Sequence, residues 1–184
     1  MLSRRTVLAG IACLAASAGG VAGAPIGVRG TPALRPVLGS MAAVEEGAGP
    51  VLHVLVSPGC DKASDMWAVT RGLSMALTVR WLPVGFTEEE TVAVAACLDA
   101  GDAESVRRLL LQPEGLGEPG EAAVDAAWRQ ARRYDNELAK MLWEATGRTP
   151  AMPTMVAEMP DGAARVIRGA IPADRAAEVL DLFY

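Results

Sequence analysis

The sequence predicts an α/β fold, and three observations carry that reading. Apolar runs of strand length alternate with stretches of helical periodicity, the elements follow the order β-α-β, helices, β-β-α, and the composition is apolar enough to build one core. The chain has 184 residues, 51% hydrophobic and 21% charged, which excludes wholesale disorder and suits a single domain. Its 17 Lys and Arg stand against 22 Asp and Glu, a formal charge of −5. That balance argues against nucleic acid as a partner, since a backbone binder needs a concentrated basic face. Cys13, Cys60 and Cys97 have no CxxC or CxxH spacing and the one histidine is His53, so no metal or other cofactor is expected.

Residues 1–23 read as an export signal. Arg4-Arg5 follow Ser3, an apolar small-residue stretch continues to about Val21, and small residues precede candidate cleavage points after Ala18 or Gly23. The arginine pair with Val7-Leu8 beyond it resembles a twin-arginine signal. A membrane anchor is the alternative, for which the run is short and rich in Gly and Ala. Removing Arg4 and Arg5 takes the charge from −5 to −7, removes Cys13, and leaves Cys60 and Cys97 in a compartment where thiols tend to be oxidised. The expected address is the periplasm, with no stable membrane span once the signal is gone.

Residues 24–48, rich in Gly, Pro and Ala, read as a lead-in with at most one short element, and residues 49–184 as the domain. Val51–Val56 is an apolar run bounded by Gly49-Pro50 and Ser57-Pro58-Gly59, the pattern of a buried strand. Ala63, Met66, Trp67, Thr70 and Leu73 recur at helical spacing, which sets Cys60 at the entrance of an amphipathic helix. Residues 77–84 form a second strand, at the distance a parallel crossover requires. Thr87 with Glu90 fits a capping box opening a helix to Gly101, and a shorter helix covers Ala103–Leu111. After the Gly/Pro break at 112–120, Val124, Trp128, Ala131, Leu138, Met141, Leu142 and Ala145 mark a long helix. Thr154–Glu158 and residues 165–168 flank Pro160-Asp161-Gly162, a hairpin signal, and Ala176, Ala177, Leu180 and Phe183 stripe a last helix.

A cysteine at the first strand-to-helix turn, Ser57-Pro58-Gly59-Cys60, with Trp67 beyond it and Pro153-Thr154 before the hairpin, resembles the catalytic domain of the bacterial periplasmic disulfide isomerase family, the DsbC and DsbG type. The resemblance spans roughly residues 45–184. It implies a thioredoxin-like fold with a helical insertion between the β-α-β and β-β-α halves. It also implies Cys60 as nucleophile, a groove formed by Met152, Pro153 and Thr154 with a cis bond before Pro153, and thiol–disulfide exchange as the activity. The partners implied are cysteine-containing exported proteins or small thiols. This chain departs from the family in three ways. The position of its second active-site cysteine is Ala63, Met152 stands where a Thr precedes the cis-proline (Thr149-Pro150 being a competing candidate for that pair), and the amino-terminal dimerisation domain has no counterpart, which points to a monomer.

A helix start offers unpaired N–H groups and the positive end of the dipole, both favouring a thiolate at Cys60. Lys62 adds to that field and Asp61 opposes it. Without a resolving thiol at Ala63, a mixed disulfide must be released by the substrate's own thiol or a small one. Cys97 reads as a small buried apolar residue on an Ala-rich helix. His53 reads as a core or edge histidine, Trp81 and Trp128 as core anchors, Trp67 as packing, and Arg129, Arg132 and Arg133 as a solvated face. Glu88, Glu89 and Glu90 read as a helix start. Two functional readings follow: single-cysteine thiol–disulfide exchange, or a redox-inactive binding, chaperone or accessory module. A single-cysteine peroxidase is a third, for which the residues around Cys60 lack the Thr or Ser and Arg pattern.

Overall fold

The computed structural model describes residues 26–184, so the expected export signal lies outside the described residues. Its strands are β1 (Val28–Gly30), β2 (Val44–Glu46), β3 (Val51–Val56), β4 (Thr78–Pro83), β5 (Thr154–Glu158) and β6 (Ala164–Arg168). They form one six-stranded sheet in the order β1-β6-β5-β3-β4-β2. The β3–β4 pair is parallel and every other pair is antiparallel.

The helices are α1 (Leu34–Gly39), α2 (Ala63–Leu73), α3 (Glu88–Ala100), α4 (Ala103–Leu111), α5 (Glu121–Arg133), α6 (Ala139–Thr146) and α7 (Ala176–Leu180). The β-α-β unit, the helical insertion and the β-β-α unit follow one another as the sequence predicts. Residues 24–48 hold more than the single element expected of them. They supply β1, α1 and β2, and the two strands close opposite edges of the sheet. Strands of three residues carry too little alternation to be seen in sequence, so they are found through their partners alone.

Alternation along the central strands divides the core into two. Leu52, Val54, Val56, Val79, Trp81 and Met155 pack on one face with Met66 and Leu73 of α2 and Val94 of α3. Leu55, Leu82, Val84, Val156 and Val166 pack on the other with Leu34 and Leu38 of α1 and Leu142 of α6. Strand β3 is therefore covered on both faces, which explains why it is apolar at every position but His53.

The long helix predicted from Val124 to Ala145 is present with one irregularity. α5 and α6 are joined by a π turn, Tyr134–Leu138. On its near side Ala127 enters the first core, while Tyr134 and Leu138 within it and Leu142 beyond it enter the second. The extra residue of a π turn rotates the apolar stripe, and here the rotation carries one helix from one core to the other. Trp128 is not the core anchor expected of it. It is 39% exposed, because α5 turns its small residues Ala127 and Ala131 inward. Trp81 is fully buried as expected. Its indole donates to Glu46 Oε1 at 3.1 Å, and Trp67 stacks on it at 5.7 Å between ring centroids.

Local signals set the insertion. The Thr87 hydroxyl accepts the Glu90 N–H at 3.2 Å, while the Glu90 carboxylate accepts the Phe86 N–H at 2.7 Å. Asp102 caps α4 through Ser105 N–H at 2.7 Å, one residue after left-handed Gly101 closes α3. Gly85 lets the β4–α3 link fold back on itself, since a Cβ there would stand 2.5 Å from the Thr91 nitrogen. Gly85→Ala is expected to lower stability by about 1–3 kcal/mol, the usual cost of overpacking, and urea denaturation measures it.

His53 is a core histidine. It is 1% exposed, its Nε2 lies 2.8 Å from Glu158 Oε1, and Nδ1 has no partner. A neutral ring with the proton on Nε2 donates to Glu158 and leaves only a lone pair unmatched. Protonation would bury a second donor with no acceptor. Burial accordingly lowers the His53 pKa below its ordinary 6.5, aided by Arg80 and opposed by Glu158 and Glu45. The unfolded chain then binds a proton that the folded chain resists, so stability falls as pH drops through about 6.5. The denaturation midpoint is expected to fall less between pH 7.5 and 5.5 in His53→Gln than in the unsubstituted chain. Parallel profiles would contradict this account.

Candidate active site around Cys60

Pairing in the sheet brings the predicted site residues to one end. Leu55 lies opposite Thr154, so one step further along the antiparallel pair sets Val56 level with Pro153. On the other side Val56 is level with Pro83, and the Val84 N–H donates to the Val56 carbonyl at 2.8 Å. The turn 57–60, the link 84–87 and the loop 151–153 therefore leave adjacent strands at the same edge. The Met152–Pro153 bond is cis.

Cys60 lies just outside α2 rather than in its first turn. The helix opens at Ala63 with Lys62 as its capping residue, and the Ala63 N–H is taken by the Cys60 carbonyl at 2.9 Å. The Ala63 N–H at the helix start is thus committed to the Cys60 backbone carbonyl. Gly59, at φ +70°, supplies the left-handed step that turns the chain out of β3 into this position. Cys60 is half-buried against the first core, while Asp61 and Lys62 are exposed. Ala63 is 5% exposed and packs its methyl into that core.

The loop opposite is internally tied. Thr154 is buried and donates its hydroxyl to the Ala151 carbonyl at 2.6 Å, so it secures the loop and does not offer that hydroxyl outward. The Pro153 carbonyl accepts the Gly169 N–H at 2.8 Å. Met152 is half-buried and leans on the second core, whereas Cys60 leans on the first.

Cys97 is distant in character from Cys60. It is fully enclosed on α3, with Sγ 3.6 Å from Ser105 Oγ, and the serine hydroxyl donates to the Cys97 and Asp102 carbonyls. Burial pushes the Cys97 thiol up to about 11 against the favourable serine contact. Both described cysteines are free thiols. Among the described residues no group of three His, Cys, Asp or Glu side chains is placed to hold a metal. No described helix is long and apolar enough to cross a membrane.

Beside the turn lies a groove of about 610 Å³ that sequence reasoning missed. Pro58 and Gly59 form one wall, the first turns of α3 another, and the segment Pro113 to Gly117 the third. The sequence marked 112–120 only as a break, and nothing local shows that it returns to face the cysteine turn.

No family model and no curated protein matches the chain. Among solved structures, it is similar to a periplasmic thioredoxin-like protein from Salmonella enterica serovar Typhimurium, at 12% identity and a TM-score of 0.55, over 81% of this chain and 94% of that one. It also aligns with Proteus mirabilis ScsC in a compact conformation, at 17% identity and a TM-score of 0.45, over 76% and 77% of the two chains. The fold is thioredoxin-like, with helices inserted between its two halves.

Accessibility separates the two thiols. In the folded protein at pH 7–8, a maleimide is expected to modify Cys60 and leave Cys97 unmodified until denaturant is added. Mass spectrometry of the digested protein checks this, and labelling of Cys97 at the Cys60 rate would refute it.

Proposed function

We propose that the protein is an exported, periplasmic thiol–disulfide exchange protein in which Cys60 is the sole nucleophile. The observation that carries this is the partly exposed cysteine at the β3–α2 turn, whose strand ends level with the cis-proline loop, while the only other described thiol is sealed. The residue 1–23 signal and a monomeric state belong to the same reading. The signal pattern in the sequence supports export, and the first similar structure is described as periplasmic.

In the exchange, the Cys60 thiolate attacks one sulfur of a client disulfide. A Cys60–client bond forms, the client S–S bond breaks, and the departing client thiolate takes a proton from water. A client thiolate then attacks the client sulfur of the mixed disulfide and expels Cys60 as a thiolate. A new client disulfide results, with no net oxidation or reduction. A small thiol attacking the same client sulfur releases Cys60 as well, leaving the client joined to that small thiol. Asp61 and Lys62 set the charge around the attacking sulfur, and Met152, Pro153 and Thr154 shape the loop that the client meets.

The buried methyl of Ala63 favours a second reading, a redox-inactive binding, chaperone or accessory module. Exchange with a scrambled disulfide protein separates the two. Cys60→Ser is expected to drop isomerisation to the uncatalysed rate, and equal isomerisation by this variant would leave only the binding reading.

The turn geometry gives a gain-of-function test. The Cys60 C=O to Ala63 N–H bond closes a turn whose Cα ends lie within about 7 Å, and a disulfide spans about 4.4–6.8 Å. Ala63→Cys is therefore expected to form a 60–63 disulfide and to gain dithiol-driven reduction of a model protein disulfide. Free-thiol titration before and after oxidation reads the bond.

A further inference from the structure

The groove beside Cys60 has a composition that the exchange chemistry does not itself require. Its floor is apolar. Val92 is 42% exposed, and Leu116 is half-buried against the first core. Its rim is acidic from two separate elements, Glu89 in the first turn of α3 and Glu114 on the facing segment. Glu90 is occupied with the Phe86 N–H, and Glu104 with Arg107 and Arg108. Glu89 and Glu114, by contrast, form no ion pair with a cation among the described residues. The helix dipole accounts for Glu89 but not for Glu114, which belongs to another element. Two carboxylates that form no ion pair, beside an apolar lining, suit a chain with cations flanking small apolar residues, even with Arg108 Nη1 3.4 Å from the Gly115 carbonyl on the same segment.

We propose that this groove selects client segments that are extended, apolar at the centre and positively charged at the flanks, and that it presents a nearby client cysteine to Cys60. The inference rests on the exchange reading for the step at sulfur, but the selection itself needs no thiol. A groove of about 610 Å³ falls in the range of pockets that enclose a short ligand, and Pro58 and Gly59 make its wall continuous with the cysteine turn. The formal charge, −5 for the full sequence and −7 once the expected signal is removed, acts in the same direction by steering cationic chains towards it.

The test uses two fluorescent peptides without cysteine, with the same apolar centre and either lysine or glutamate flanks, and the full chain carrying Cys60→Ser. The lysine peptide is expected to bind about five- to tenfold tighter at low salt, with the gap shrinking as salt screens the rim. Glu89→Gln with Glu114→Gln is expected to remove most of the preference. Val92→Lys, at an exposed position, is expected to remove it by placing a cation in the groove, and circular dichroism shows whether each variant is folded. Equal binding of the two peptides, or a preference that survives both sets of substitutions in folded protein, overturns the proposal. Cysteine-bearing versions of the peptides then react with the unsubstituted chain as mixed disulfides with a small aromatic thiol. Equal exchange rates for both would overturn the selection and leave the exchange reading standing. A charge preference in binding with an inert Cys60 would overturn the exchange reading and leave the selection standing.

Discussion

The placement of β3 between a parallel and an antiparallel neighbour is the constraint on which the rest of the structure depends. With Val56 level with Pro83 on one side and one step beyond the Leu55–Thr154 pair on the other, three chain departures must emerge together. Each departure is then secured by a bond the sheet does not provide. The Val84 N–H reaches Val56, the Gln130 amide donates to the Pro83 carbonyl at 2.6 Å, and Thr154 closes its own loop through Ala151. A one-residue slip in β3 would exchange its two faces, sending His53 towards α2 and Leu52 towards α1. Register in this strand is therefore what locates Cys60.

Much of this was legible in the sequence where the determinant is local. Thr87 and Glu90 announce the start of α3, and Gly101 and Asp102 place the junction with α4 to the residue. The apolar run at 51–56 reads as a buried strand because both faces are covered. The thioredoxin-like order could be read because each of its longer elements carries its own period. The three-residue edge strands could not, since their pattern exists only opposite β6 and β4.

The site was legible as a location and less so as a geometry. The sequence placed Cys60 at the strand-to-helix turn, and the structure puts it there, outside the capping residue Lys62. Thr154 was read as part of the client groove, but its hydroxyl serves the loop instead. Trp128 was read as core because its spacing fits the stripe. The close approach of small residues on α5 chose Ala127 and Ala131 in its place. Glu114 could not be singled out, because its meaning comes from facing Glu89 across a groove made by distant segments.

The enclosure of Cys97 bears on how the protein rests between encounters. Among the described residues, a folded molecule has one thiol partly in reach of solvent and no second one to close upon. Oxidation of that sulfur is consequently a bimolecular event, with a half-life set by the concentration of other thiols and disulfides around it. Its idle state is therefore decided by the thiols and disulfides around it, and its return to the thiol requires attack by another thiol, which leaves carrying the partner sulfur in a new disulfide.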